Sequence, residues 1–501
     1  MLSRGLDTPN MLRNYPEVEV FALLAVTVMA ALMAAPAAFA DDNAPTFDFH
    51  GYMRAGVGHF SHGGSQTRWN SDYVGRLGNE EDTYGELALG SRVFKKGDTE
   101  FYVNSRVAVK SMGDNDYEAT DRANGVFSNA AINDNTTNAG SYSWEDTEFA
   151  LRELNAMVKG FIPGKKDATL WAGKRFYQRH DVHLWDYYYE DLSGSGAGLE
   201  NLQIGPGNFS VAWVRKAHDS ITKMEDGTAG SYWDTKTLTD ENGKPILDDD
   251  GNPQTVLTKR DSTYGNINIF DIRYGASLWN GGWLEISYSA MDPDKAHSDH
   301  VSYNDNAASA GWSSMWTVEA TWSGSWGFNK AAFQYGNHGW NIGNHNTWYG
   351  SYADMSDNKW WRVIDQGEVT VLDPRFHIMY AARYDRQDFG FDRGWGTGDG
   401  FKTFAVAVRP SYQVTDYSRI MAELGAYWTK YTGIDNADDQ GQKYTLAYAL
   451  SPSASLWARP EIRLYVSYLH HSNGDSIPDT LHDNLSWSSA VNFGIQAEAW
   501  W

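Results

Sequence analysis

The chain predicts an all-β fold, an antiparallel β-barrel that crosses a membrane with its strands. Three observations predict it. Apolar and polar residues alternate with a period of two in run after run, short turns alternate with long polar loops, and the last strand ends on an aromatic residue of its apolar face. Nothing after residue 40 has the unbroken apolar length of a membrane helix. Aromatic residues still make up 14% of the 501 residues.

Residues 1–40 are expected to lie outside the fold. Phe21 to Ala35 is an apolar run preceded by Arg4 and Arg13, and Ala38-Phe39-Ala40 fits a small-x-small cleavage site. Met11 is an alternative start. The export leader is therefore read as 1–40 and the barrel domain as 41–501. A formal net charge of −23 argues against nucleic acid as a partner. The chain has no cysteine, which excludes cysteine catalysis, thiolate metal sites and disulfides.

An exported, polar, aromatic-rich chain leaves two readings, a secreted all-β protein such as a carbohydrate-active enzyme or an outer-membrane barrel. In Phe47 to Val57 the odd positions read Phe, Phe, Gly, Met, Ala, Val and the even ones Asp, His, Tyr, Arg, Gly. That strand suits either reading: its polar face looks outward in a sandwich and into a water-filled lumen in a barrel. The pattern recurs at Glu86–Leu89, at Phe101–Val109, at Phe404, Val406 and Val408, and at Ile462–Tyr468. Turns such as Lys96-Gly97-Asp98 and Asn280-Gly281-Gly282 alternate with long loops such as 218–263 and 292–311, which favours the barrel. At ~10 residues per strand plus connections, the length suits a strand number in the upper teens. The last strand, Val491 to Trp501, puts Val, Phe, Ile, Ala, Ala and Trp on one face, so that Trp500 points to the lumen. The 239–254 stretch, TDENGKPILDDDGNPQ, reads as a solvated loop; its spacing is not that of an EF-hand.

The stretch Trp171 to Asn201 stands apart. It has no clean period and mixes charges of both signs with a dense set of rings, a combination that suits a polyhydroxylated ligand. His180 and His183 lack a third ligand at metal spacing, so no metal or other cofactor is expected. Asp181, Asp186, Glu190 and Asp191 could supply the carboxylate pair of a glycoside hydrolase, the enzymatic alternative.

With these residues in hand, the chain resembles the maltoporin family of outer-membrane porins. The matching pieces are 47–58, 76–90, 115–121, 171–183, 196–201, 456–463 and the terminal Trp-Trp, so the likeness runs from end to end. It implies about 18 strands, an inward-folded third loop that narrows the channel, a homotrimer in outer-membrane lipid, and maltose and maltodextrins as cargo. The aromatic slide it implies is Tyr52, Tyr84, Phe328, Trp457 and Trp500, with Tyr117 in place of a tryptophan supplied by a neighbouring subunit. Tyr188 matches the constriction tyrosine. The polar track it implies is Arg54, Arg76, Glu86, Arg152, Arg179 and Asp186, with Asp181 and His183 nearby. Strand parity independently turns Tyr52, Arg54, Tyr84, Trp457 and Trp500 inward. Arg152 keeps step with Leu154 and Ala156, so only the resemblance points it inward. Trp360, Trp361 and Trp501 are expected in the lipid-facing girdle. A non-selective porin and a sucrose-specific porin are the competing channel readings. Arg179, Tyr188 and Asp191 keep the maltoporin identities, and only Asp41 to Thr46 precede the first strand, where the sucrose branch carries a coiled-coil extension.

Overall fold

The computed structural model describes residues 45–64, 68–80, 82–111, 148–219, 233–237, 244, 255–259, 264–293, 311–343, 345, 356–371, 374–390, 399–435, 437–453, 455–473 and 487–501. The 1–40 leader, Tyr117 and, Lys244 apart, the 239–254 loop lie outside them. An 18-stranded sheet carries the fold. Its strands are β1 (Thr46–Phe60), β2 (Thr83–Lys96), β3 (Thr99–Ser111), β4 (Glu148–Lys159), β5 (Thr169–Arg175) and β6 (Gly194–Ile204). They continue as β7 (Gly207–Asp219), β8 (Tyr264–Trp279), β9 (Gly282–Pro293), β10 (Ser313–Gly324), β11 (Gly327–Asn337) and β12 (Lys359–Thr370). The ring is completed by β13 (Phe376–Asp388), β14 (Gly400–Thr415), β15 (Ser418–Thr432), β16 (Asp438–Leu450), β17 (Glu461–Asn473) and β18 (Ser489–Trp500). Each strand pairs antiparallel with the next, and β18 returns to β1 with Trp500 opposite Tyr52 and Asn492 opposite Phe60. The closed barrel expected from the alternation is borne out. Lipid offers no hydrogen bonds, so a sheet in a membrane has to consume its own edges.

Burial is inverted relative to a water-soluble fold. On β17, Leu464 is 56% exposed while its neighbour Arg463 is 2% exposed. Ile462, Val466 and Tyr468 share the outer wall with Leu464; Glu461 and Ser467 share the interior with Arg463. Apolar residues line the outer wall, and charges are covered by segments folded into the lumen.

Two connection types follow. Gly97, Gly205 and Gly281 take positive φ in the tight turns of one rim, where a side chain would be strained. At the other rim, segments 68–80, 176–193 and 338–343 turn back inside. Closure reaches the last residue. Trp501 and Gly51 exchange backbone hydrogen bonds at 3.2 Å each way, and the indole lies where a Cβ on residue 51 would be, 2.1 Å away. Trp501 sits on the outer wall beside Phe49, ring centroids 5.8 Å apart.

Two expectations need correction, one from the aromatic girdle and one from parity. Trp360 is not in the girdle. It is buried, and its indole N–H donates to the Trp340 carbonyl at 2.8 Å. Adjacent strand residues face opposite sides, so only Trp361 can be outward; its ring packs 5.2 Å from Tyr384. Arg152 does not keep step with Leu154. The β3–β4 register slips between Arg106 and Val107, where Glu153 and Leu151 are the successive partners and Arg152 is the extra residue. The bulge resets the alternation: Phe149 and Leu151 before it and Leu154 after it are exposed, while Arg152 lies over the Phe176 ring at 5.0 Å.

Val466→Arg, near the middle of β17 on the outer wall, should destabilise the barrel by about 2–4 kcal/mol, the cost of a cation on a lipid-facing wall near mid-bilayer. Denaturant titration of the protein folded into vesicles measures it.

Candidate functional site

The segment between β5 and β6 decides the shape of the lumen. It enters at Phe176 and forms a two-stranded hairpin, Arg179–Val182 with Tyr187–Asp191. Gln178 and Asp186 take positive φ at its bends. Its side chains then reach several strands of the wall. Tyr177 donates to Asp271 at 2.8 Å, Arg273 donates to Glu190 at 2.8 Å, and Tyr189 donates to Glu319 at 2.5 Å. Gln366 donates to the Asp181 carbonyl at 2.7 Å, and the Arg383 guanidinium lies 4.1 Å from the Tyr187 ring centre. The His180 Nδ1 is 2.9 Å from Glu319. Burial opposes a charge on this imidazole, but Glu319 outweighs it and raises its pKa.

Two further segments brace the hairpin. In 68–80, a short helix α1 (Ser71–Val74) packs on β15 where Gly425 has no side chain; a Cβ there would lie 2.0 Å from the Val74 carbonyl oxygen. The Leu77 amide donates to Glu423 at 3.0 Å and the Arg76 amide to the Leu184 carbonyl at 3.1 Å. In 338–343, the Ile342 carbonyl accepts from Tyr187 at 2.7 Å.

The lumen left open is lined by rings. The Tyr84 and Tyr52 centroids are 6.0 Å apart, and Tyr52 is the register partner of Trp500. Trp500 and Trp457 flank one side chain, His183, at 6.0 and 4.8 Å. The Trp457 indole donates to Glu368 at 2.5 Å, and Glu368 is the cross-strand partner of Phe328. Phe328 keeps step with buried Gln334 and so faces inward. The structure thus links Tyr84, Tyr52, Trp500, Trp457 and Phe328 into one run.

Charges border that run. Arg54 grips Asp82 through two hydrogen bonds of 2.7 and 2.9 Å and reaches Glu80 at 3.2 Å and Asp186 at 3.1 Å. Arg76 donates to the Tyr52 hydroxyl at 3.0 Å and to Glu498 at 2.9 Å. Glu86 accepts from Tyr84 at 2.6 Å and from Arg106 at 2.9 Å. Arg179 lies 4.1 Å from the ring centres of both Phe176 and Tyr188, with Nε 3.4 Å from Asp191. His345 stacks on Tyr188 at 4.6 Å, and its Nδ1 is 2.6 Å from the same Asp191. Burial opposes ionisation of Asp186, but Arg76 and Arg54 prevail and hold its pKa at about 2. Burial raises the pKa of Asp181. Burial and the nearby Arg76 push His183 well below the usual imidazole range, so it stands neutral between the two indoles.

Three of the carboxylates that might have formed a hydrolytic pair are therefore matched to cations: Asp186 to Arg54, Glu190 to Arg273, and Asp191 to Arg179. The arrangement presents ring faces beside donors and acceptors already held in place.

A family model described as LamB porin matches residues 47–501. The chain belongs to the LamB porin family. With its lipid-facing wall, this LamB porin is a multi-pass β-barrel of the outer membrane. It is 36% identical to Maltoporin 1 of Klebsiella pneumoniae over 95% of this chain and 98% of that relative. It is 35% identical to Maltoporin 2 of Yersinia pestis over 94% of this chain and 97% of that one. The Maltoporin 2 of Yersinia pseudotuberculosis is also 35% identical, with the same coverage.

Sequence reasoning missed the braces. Asp271, Arg273 and Glu319 stand on the inner faces of β8 and β10, so parity alone could have flagged them. Arg383, on the inner face of β13 and two residues from its partner Asp385, carries the same parity signal, whereas His345 carries none, because its partners Tyr188 and Asp191 are far away in the chain.

Glu319→Gln removes the carboxylate shared by His180, Tyr189 and Lys330. Breaking such a buried pair costs about 3–5 kcal/mol, and the variant should show noisier single-channel current. The folded state raises the His180 pKa, so its contribution is complete at acid pH and is lost as pH climbs through the raised value. Current noise in the parent should grow as pH rises above the imidazole range, and noise in Glu319→Gln should not.

Proposed function

We propose that this porin is a facilitated-diffusion channel for maltose and maltodextrins. The single observation that carries the reading is the run from Tyr84 through Tyr52, Trp500 and Trp457 to Phe328, bordered by Arg54, Arg76, Glu86 and Glu498. A glucopyranose has apolar C–H faces and a rim of hydroxyls. Rings in a line stack on successive sugars, each burying modest apolar area at ~25 cal/mol per Å². The charges exchange hydrogen bonds with the hydroxyls and are already paired with one another, so none is left bare when the sugar moves on. Neighbouring sites of similar strength let a chain advance without a deep trap, as transport requires.

In this reading Tyr188, fixed by Arg179 and His345, sets the width opposite the slide, while Arg152 and Arg179 extend the polar track. Asp181 and His183 shape the hairpin side of the path. The names of its relatives support maltodextrins as cargo. The family resemblance supports a homotrimer in outer-membrane lipid, Tyr117 as the ring offered to a neighbouring copy, and removal of 1–40 on export to leave 41–501.

Ion current through the reconstituted porin should be blocked by maltohexaose far more tightly than by sucrose. Tyr52→Ala and Trp457→Ala should each weaken block by roughly 10–100-fold, the worth of one stacked ring. Tyr188→Ala should raise single-channel conductance. Tighter block by sucrose would reject the cargo, absence of block by any maltodextrin would make the channel non-selective, and release of reducing sugar would make it a hydrolase.

A further inference from the structure

On the outer wall, three adjacent strands carry two matched rows. Arg386, Lys402 and Lys430 are register partners across β13, β14 and β15. Two residues further from the long-loop rim on each strand, Tyr384, Phe404 and Trp428 are register partners in the same way. The inner neighbours Asp385, Gln387, Thr403 and Thr429 are buried, so by parity the cations face out. Phe404 and Trp428 stack at 5.9 Å and are both lipid-exposed. Trp361, beside Arg386 in register, adds its ring to Tyr384.

The cationic row has no internal neutralisation. Among the described residues none of the three makes an ion pair, not even Lys430 with its register partner Asp438. Asp388, one outward position nearer the rim on β13, is engaged by Lys359 at 3.4 Å. Like charges directly opposite one another on a sheet repel. The chain as a whole carries −23, so a local excess of positive charge calls for an external anion. The row's level narrows the choice. Arg386 lies two residues before β13 ends, Lys402 two after β14 begins, and Lys430 two before β15 ends. All three therefore sit just under the long-loop rim, and the aromatic row sits on the acyl-chain side, as an interfacial belt does.

We propose that Arg386, Lys402 and Lys430 form a binding site for the phosphate groups of an anionic lipid headgroup in the outer leaflet, with Tyr384, Phe404 and Trp428 beneath it against the acyl chains. Guanidinium and ammonium groups at this depth meet phosphate oxygens directly. The site rests on the outer-membrane setting and is independent of the sugar reading.

The probe is bisphosphorylated lipid A, added to the detergent-purified, delipidated protein and followed by native mass spectrometry. The parent should bind it on the order of a hundredfold more tightly than the triple variant Arg386→Gln, Lys402→Gln, Lys430→Gln. Dephosphorylated lipid A should bind the parent as weakly as bisphosphorylated lipid A binds the variant. Lys402→Arg with Lys430→Arg should retain binding. Heat-modifiable gel migration and the maltohexaose response establish that each variant is folded. Equal binding by parent and triple variant, indifference to the lipid phosphates, an adduct with inorganic phosphate but none with lipid, or cross-links from Lys402 to a second copy would each overturn the site.

Discussion

The constraint on which everything else depends is that a backbone in lipid must find its hydrogen bonds within the protein. Closing β18 on β1 meets it, and closure is carried through to the exchange between Trp501 and Gly51. Once the sheet is closed, the alternation of side chains has only two destinations, hydrocarbon and lumen. The same regularity that hides the backbone brings Tyr52 and Trp500, from opposite ends of the chain, side by side on the inner wall.

The interior then has to hold many charges without a water-free core to oppose them. The structure answers with pairing across elements. Glu498 meets Arg76, Arg459 and Arg463, and Glu423 meets Arg409 and Lys443. The Arg76 bridge and the Leu77 amide on Glu423 tie the wall to 68–80, and Asp271, Arg273 and Glu319 tie it to the hairpin. Removing a shared carboxylate such as Glu423 would leave Arg409 and Lys443 buried without their counter-charge, a cost that holds the network in place. Rigidity matters for a slide, because rings that guide a flexible sugar must themselves stay put.

Much of this was legible in the residues. Period-two alternation, short turns opposite long loops and the aromatic terminus carried the barrel, because lipid imposes that pattern on every strand. Parity also placed Tyr52, Arg54, Tyr84 and Trp500 on the inner face without knowledge of a partner strand. It failed at Arg152, since a bulge inserts a residue without any mark in the sequence, while Trp360 escaped the girdle expectation because strand alternation lets only one ring of a Trp-Trp pair face out. The inward course of 68–80 and 338–343 was hidden for another reason. Their anchors, such as Leu77 on Glu423 and Tyr187 on Ile342, join positions far apart in the chain.

Because the chain has no cysteine, single thiols can report which wall a position occupies and what covers it. Tyr52→Cys, Trp457→Cys and Trp500→Cys, exposed in intact membranes to a charged, membrane-impermeant thiol reagent, test the central claim most directly. The account predicts that all three react, that reaction lowers conductance, and that maltohexaose protects all three while Leu464→Cys in the lipid-facing wall stays unreactive. Reaction that maltohexaose leaves unchanged, or labelling of position 464 in place of the other three, would contradict it.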